Sequence, residues 1–212
     1  MGDGRGSREV GCSLTSVDDV IRRRRMTRSF DPSPLEASTV DQLLRLAVRA
    51  PSAGFSQGSH FVALSGESVS DFWTISGLGA HIAERQPGVL RAPTVILAVG
   101  DPGRYMARYA EPDKAASGLD AEAAWPVPYW LTDTAMAVEN LLLLAEASGL
   151  GALYFGVFRH ADRVGDHFGV PSGMHLLGAV ALGRRSADDR PTGSPTRRTR
   201  RPLDEVIHHE RW

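Results

Sequence analysis

Arginine is the residue type most concentrated where chemistry could occur. Arg22, Arg23, Arg24 and Arg25 are consecutive, Thr27 and Arg28 follow within "RRRRMTRSF", and a second cluster, "RRTRR", spans 197–201. A phosphate monoester needs donors converging from different chain segments, and the planar guanidinium fork matches its oxygens. Arg24, Thr27 and Arg28 can supply one side of such a clasp, with Arg198 and Arg200 closing from the tail. A solvated basic face explains the same residues by composition alone. The 24 Lys and Arg are balanced by 25 Asp and Glu, for a net charge of −1. Clustering within a neutral chain favours a local anion site over a nucleic-acid surface, so no nucleic-acid partner is expected.

Two more stretches could meet a flat ligand. In "APSAGFSQGSHFVAL" (50–64) the small residues Ser52, Ala53 and Gly54 let backbone approach a ring closely, and Gln57 adds an amide donor and acceptor; an ordinary loop is the competing reading. In "GLGALYFGVF" (149–158) a buried strand meets Gly156, whose N–H has no side chain to block a ring above it. A strand bulge accounts for that glycine equally well. Trp125, Tyr129 and Trp130 either shape a substrate pocket or anchor a long loop. The seven histidines lack metal-ligand spacing such as HExxH, so no metal is expected.

Helices and strands must hold these groups in place. Ser16 can cap a helix with Val17, Val20 and Ile21 on one stripe, ending in the arginine run. Ser38 or Thr39 can cap a second helix carrying Val40, Leu43, Leu44, Ala47 and Val48, which stops at Pro51. "HFVAL" (60–64), "TVILAVG" (94–100), "ALYFGVF" (152–158) and "GAVALG" (178–183) read as strands, with helical segments around 68–86 and 161–168. Residues 131–148 are apolar on nearly every face and predict a central helix ending at Gly149 and Gly151. Residues 101–130, rich in Asp, Pro, Gly and Ala, form an excursion or lid, and 184–212 a polar tail with one strand-like patch, "EVIHH". With 212 residues, 42% of them hydrophobic, one domain over 16–212 after a flexible lead-in at 1–15 is expected, either α+β or α/β. Cys12 is the sole cysteine, excluding an internal disulfide or a multi-cysteine metal site and pointing to the cytoplasm. Glu139, Asn140 and Glu146 interrupt the most apolar run, so no membrane span is expected.

In order along the chain, these segments resemble the nitroreductase family of FMN-dependent oxidoreductases. "RRMTRSF" is similar to the family's Arg-x-Ser-x-Arg-x-Phe opening, with Met26 in place of serine. "APSAGFSQGSHF" matches its loop at Ala50, Pro51, Ser52, Gln57 and Phe61, and departs at Ala53, Phe55, Gly58 and Ser59. "DTAMAVENLLLLAEASGLGALYFG", from Asp133, resembles its long helix, and "RTRRPLDEVIHHERW" its finish.

The resemblance implies an α+β fold with a central mixed β-sheet flanked by helices, in a homodimer with the site at a two-fold interface onto which the tail wraps. It also implies FMN held by Arg24, Arg25, Met26, Arg28, Arg198 and Arg200 at the phosphate and ribityl end. Pro51, Ser52, Ala53, Gln57 and Asp133 would lie about the ring or ribityl chain, and Tyr154, Phe155, Gly156 and Val157 beside flavin N5. Phe55, Trp125, Tyr129 and Trp130 would line the substrate pocket. The implied activity is reduction of a small electron-poor molecule, such as a nitro-aromatic or quinone, at the expense of NADH or NADPH. No side chain is expected to act as nucleophile. A flavin-dependent oxidase or dehydrogenase and a non-catalytic flavin-sequestering protein are the alternatives, and deazaflavin the alternative cofactor.

Overall fold

The computed structural model describes residues 16–212, and the lead-in expected at 1–15 lies outside the described residues. Ser16 is extended (ψ 152°) and its hydroxyl accepts from Asp19 N at 3.2 Å, so α1 (Val17–Arg23) starts at the cap the sequence indicates. Asp18 and Asp19 in its first turn and Arg22 and Arg23 in its last both suit the helix dipole. α2 (Ala37–Ala47) begins earlier than a Ser38 or Thr39 cap would place it. Extended Glu36 precedes it, and the Glu36 carbonyl accepts from Thr39 N and Val40 N (3.0 and 3.3 Å), closing the first turn without a side-chain hydroxyl.

Four strands follow in one sheet: β1 (Ser59–Ser65), β2 (Thr94–Gly100), β3 (Gly151–Phe155) and β4 (His175–Gly183), in the order β1-β2-β4-β3. All three pairings are antiparallel, so the central sheet is not mixed; among the described residues parallel pairing is confined to the single bridge of Met26 with Ala152. The helical stretch expected at 68–86 is two helices, α3 (Glu67–Ile75) and α4 (Gly79–Arg85), separated by Gly77 at φ 65°. α5 (Pro102–Tyr109) lies inside the excursion. Its signal is local, Asp101 capping Arg104 N with Pro102 in the first turn. α6 (Tyr129–Ala147) is the long apolar helix, and α7 (Ala161–His167) joins β3 to β4.

β2 is buried at all seven positions because the sheet is covered on both faces. Alternation along the strand divides it between two cores: Val95, Leu97 and Val99 pack with Phe72 and Trp73 of α3, while Ile96 and Ala98 pack with Leu141 and Leu142 of α6. The patch "EVIHH" is not a strand. Leu203–Glu205 is a 3₁₀ turn, and Val206 and Ile207 are about half exposed (47% and 51%), since β-branched residues make a strand only where another strand offers a ladder.

Candidate functional site

The arginine turn is held by a buried carboxylate. Asp189, with 1% of its side chain exposed, accepts from Arg28 N (3.0 Å) and Ser29 N (3.1 Å) through Oδ1, while Oδ2 lies 2.5 Å from Arg25 Nη1. This last pair is an ionic contact without hydrogen-bond alignment, as both atoms lack an aligned partner. Asp189 therefore takes up two amides and one guanidinium of the expected phosphate clasp. No local pattern could have identified it, because 161 residues separate it from Arg28.

The other members of the clasp divide by environment. Thr27 is fully buried and its hydroxyl accepts from Arg185 Nε (3.2 Å), itself paired with Glu146 at 2.5 Å, so Thr27 faces the core and not an anion. Met26 packs against both cores, and its sulfur accepts from Tyr154 N at 3.5 Å. Arg24 makes a loose pair with Glu139 (3.5 Å), whose side chain is half exposed. Arg28 donates through Nη1 to Met26 O (3.2 Å), but its Nε is buried without a partner. Arg28 also opens onto a cavity of about 460 Å³ lined by Arg85, Arg91, Arg190 and Asp188, residues that sequence reading did not single out. Arg198 and Arg200 are exposed on the tail, and the side-chain hydrogen bonds and ion pairs of the described residues include neither.

At the end of β3, side chains pack against their neighbours. Phe155 stacks on Trp73 with centroids 5.5 Å apart and planes at 16°, Val157 is buried, and the Tyr154 hydroxyl donates to Leu177 O at 3.1 Å. Burial pushes the Tyr154 phenol pKa above its ordinary value. The open face expected at Gly156 is covered by the ring of Phe158, which is itself 92% exposed.

The loop before β1 is fixed by a second buried carboxylate. Asp133, 2% exposed, accepts through Oδ2 from Ala53 N (2.9 Å) and from the Tyr105 hydroxyl (2.7 Å), and through Oδ1 from the Thr132 hydroxyl (3.3 Å). Its oxygens are taken up inside the protein, which places Asp133 behind the loop rather than against a cofactor. Burial and the hydrogen bond to Asp133 raise the Tyr105 pKa far above a free phenol's. Ser52 Oγ accepts from Gln57 N (3.0 Å), Pro51 and Gln57 are exposed, and Phe55 and Gln57 hold left-handed backbone at φ 59° and 53°. Each such residue costs about 1–3 kcal/mol and persists only where its surroundings impose it. Trp125 and Trp130 are buried with Tyr105, so they anchor the excursion instead of lining a pocket; Phe55 and Tyr129 remain exposed.

One chain does not bring these groups together. The arginine turn borders β3, at one edge of the sheet, and the 51–58 loop leads into β1, at the other. Three strand spacings of about 4.8 Å separate the two edge strands, roughly 14 Å.

The sequence profile of the Nitroreductase family matches residues 21–184. A relative from Archaeoglobus fulgidus, provisionally named NADH dehydrogenase/NAD(P)H nitroreductase, is 24% identical over 91% of this chain and 97% of its own. An NADPH-dependent oxidoreductase of Staphylococcus aureus is 23% identical over 92% of this chain and 74% of its own. Among solved structures, nitroreductase CinD of Lactococcus lactis, in complex with chloramphenicol, superposes with a TM-score of 0.72 at 20% identity, covering 92% of this chain and all of that one.

Two outcomes test this geometry. Hydrogen bonds from Ser186 and Ser29, with the Arg91 guanidinium, hold the Asp188 pKa down at about 2. A depressed carboxylate adds stability that is complete above its unfolded value of 3.8 and lost as pH falls through about 2. Carboxyl-carbon NMR should therefore show Asp188 still ionised at pH 3. Asp189→Ala orphans two amides and one partly buried guanidinium, and denaturant unfolding should read a loss of about 3 kcal/mol.

Proposed function

Because the chain belongs to the nitroreductase family and is an oxidoreductase, we propose that it binds FMN and reduces a small electron-poor acceptor, a nitro-aromatic or quinone, with NADH or NADPH. The observation that carries the FMN assignment is the buried Arg28 Nε without a partner, a donor in a mostly desolvated position beside other arginines. Its neighbours fit an anionic group. Arg24 is only loosely paired, and Arg28 is a fork donor with one position unmet. When bound, the isoalloxazine supplies acceptance and donation of reducing equivalents.

The chain's residues position and shelter that group. Arg24 and Arg28 hold its phosphate, joined by Arg198 and Arg200 from the tail, while Asp189 neutralises Arg25 and keeps the turn rigid. Main chain at Phe155 to Val157 faces the ring, with Pro51, Ser52, Ala53 and Gln57 meeting it from the opposite loop. Phe158 must swing off Gly156 to admit a ring; at 92% exposure it forfeits little packing by doing so.

A two-fold homodimer completes the site in this proposal. The two halves of the site lie at opposite sheet edges, so one copy's 51–57 loop would meet the other's arginines. The outer face of α6 suits the interface: Met136 is 40% exposed, and Leu143 and Leu144 line an apolar cavity of about 410 Å³ with Val17 and Leu46. No helix among the described residues is long and apolar enough to cross a membrane. A cytoplasmic location belongs to the same reading.

The purified protein should carry a flavin absorption spectrum that bleaches on anaerobic addition of NADH or NADPH, and Arg28→Ala should lose most of the bound flavin. Flavin that stays oxidised with both donors would favour sequestration, and the absence of flavin binding would return the arginines to a basic surface. Light scattering should give twice the 22.9 kDa chain mass.

A further inference from the structure

α5 grips the loop before β1 at three points. Arg108 Nε donates to Gly54 O at 2.9 Å. The Tyr109 ring lies against Gly54, 2.8 Å from where a Cβ would stand. Tyr105 shares Asp133 Oδ2 with Ala53 N, and its ring fills the space a side chain at Gly58 would need, 2.5 Å from the Cβ position. The rest of the Arg108 guanidinium is fixed from behind: Nη1 and Nη2 each reach Asp113 at 2.7 Å, and Nη1 also reaches Glu111 at 3.1 Å. A bidentate carboxylate pair sets the plane of the fork, which leaves Nε aimed at a single carbonyl.

That carbonyl belongs to the first left-handed residue of the turn. Gly54 (φ 58°) is followed by Phe55 (φ 59°) and, after Ser56, by Gln57 (φ 53°). Phe55 is 73% exposed, so its own packing does not explain the conformation. The strain is imposed through Gly54 and Ala53, and its product is an aromatic ring directed outward from a rigid support.

We infer that Arg108 is a positioning residue, which by holding the Gly54 carbonyl keeps the turn left-handed and presents Phe55 as an aromatic wall for a flat, apolar acceptor. The inference rests on the reductase reading above, in which this loop meets the flavin pocket of a second copy. The excursion thereby acts as a clamp on the loop. Stacking on Phe55 favours planar aromatic acceptors in binding without entering the transfer step, so its effect belongs in KM.

The test uses the full-length protein as Arg108→Ala, Arg108→Lys, Phe55→Ala and the double alanine variant, with Arg104→Ala, on the exposed side of α5, as control. Hydrogen exchange is read at Phe55, Ser56 and Gln57, whose amides are bonded to Ser52 O, Ala53 O and Ser52 Oγ. These amides should exchange about tenfold faster in Arg108→Ala and partway in Arg108→Lys, and remain unchanged in the control. With 4-nitrotoluene as acceptor, KM should rise about three- to tenfold in each single alanine variant with kcat nearly constant, and ferricyanide reduction should be unaffected. In the double variant KM should rise no further, since Arg108 acts through Phe55. Unchanged exchange in Arg108→Ala, multiplying KM effects, or an equal effect on ferricyanide would overturn the inference. Should Arg108→Ala fail to fold, Arg108→Lys decides by the same readings. If the protein binds no flavin, the acceptor role falls with the reductase reading, and unaltered exchange would separately refute the clamp.

Discussion

A carboxylate removed from water must gather donors around it, and the two buried aspartates among the described residues do so where loops would otherwise be free. Asp189 collects the amides of Arg28 and Ser29 and the charge of Arg25 at one edge of the sheet. Asp133 collects Ala53 N and the Tyr105 hydroxyl at the other. Each converts an irregular segment into a rigid one, and both segments belong to the proposed cofactor site. The sheet supplies the frame between them, with β2 buried on both faces.

The same constraint explains which arginines are available. In a chain of net charge −1, part of the conspicuous basic run is paired at close range: Arg25 with Asp189, and Arg24 loosely with Glu139. A count of arginines therefore overstates the anion-binding capacity of the turn. What distinguishes Arg28 is an unmet donor in a desolvated position, a condition that favours an anionic ligand more strongly than a solvated guanidinium does.

Strain follows a similar division. Left-handed backbone at Phe55 and Gln57 would relax in an isolated loop, and it survives because α5 and α6 impose hydrogen bonds on the residues beside it. With Gly54, three of the four residues 54–57 are left-handed. Pre-organisation of this kind suits a loop whose partner is a rigid planar ring.

By itself the sequence determined what depends on neighbours along the chain. The Ser16 cap, the stripe of Val40, Leu43 and Ala47, the uniformly apolar α6 and the run "TVILAVG" all act within a few residues, where hydrogen-bond closure and hydrophobic period leave a readable pattern. The motifs in "RRMTRSF" and "APSAGFSQGSHF" were likewise legible as types of residue. Tertiary structure alone decided their partners. Arg28 meets a carboxylate 161 positions away, Ala53 one 80 positions away, and Thr27 turns inward to Arg185, 158 positions on. It also decided that Trp125 and Trp130 pack inside, that Phe158 covers Gly156, and that "EVIHH" has no strand to join. Such outcomes are set by which surfaces the folded sheet brings into contact, and charge pairing, ring packing and strand addition depend on that contact rather than on sequence separation.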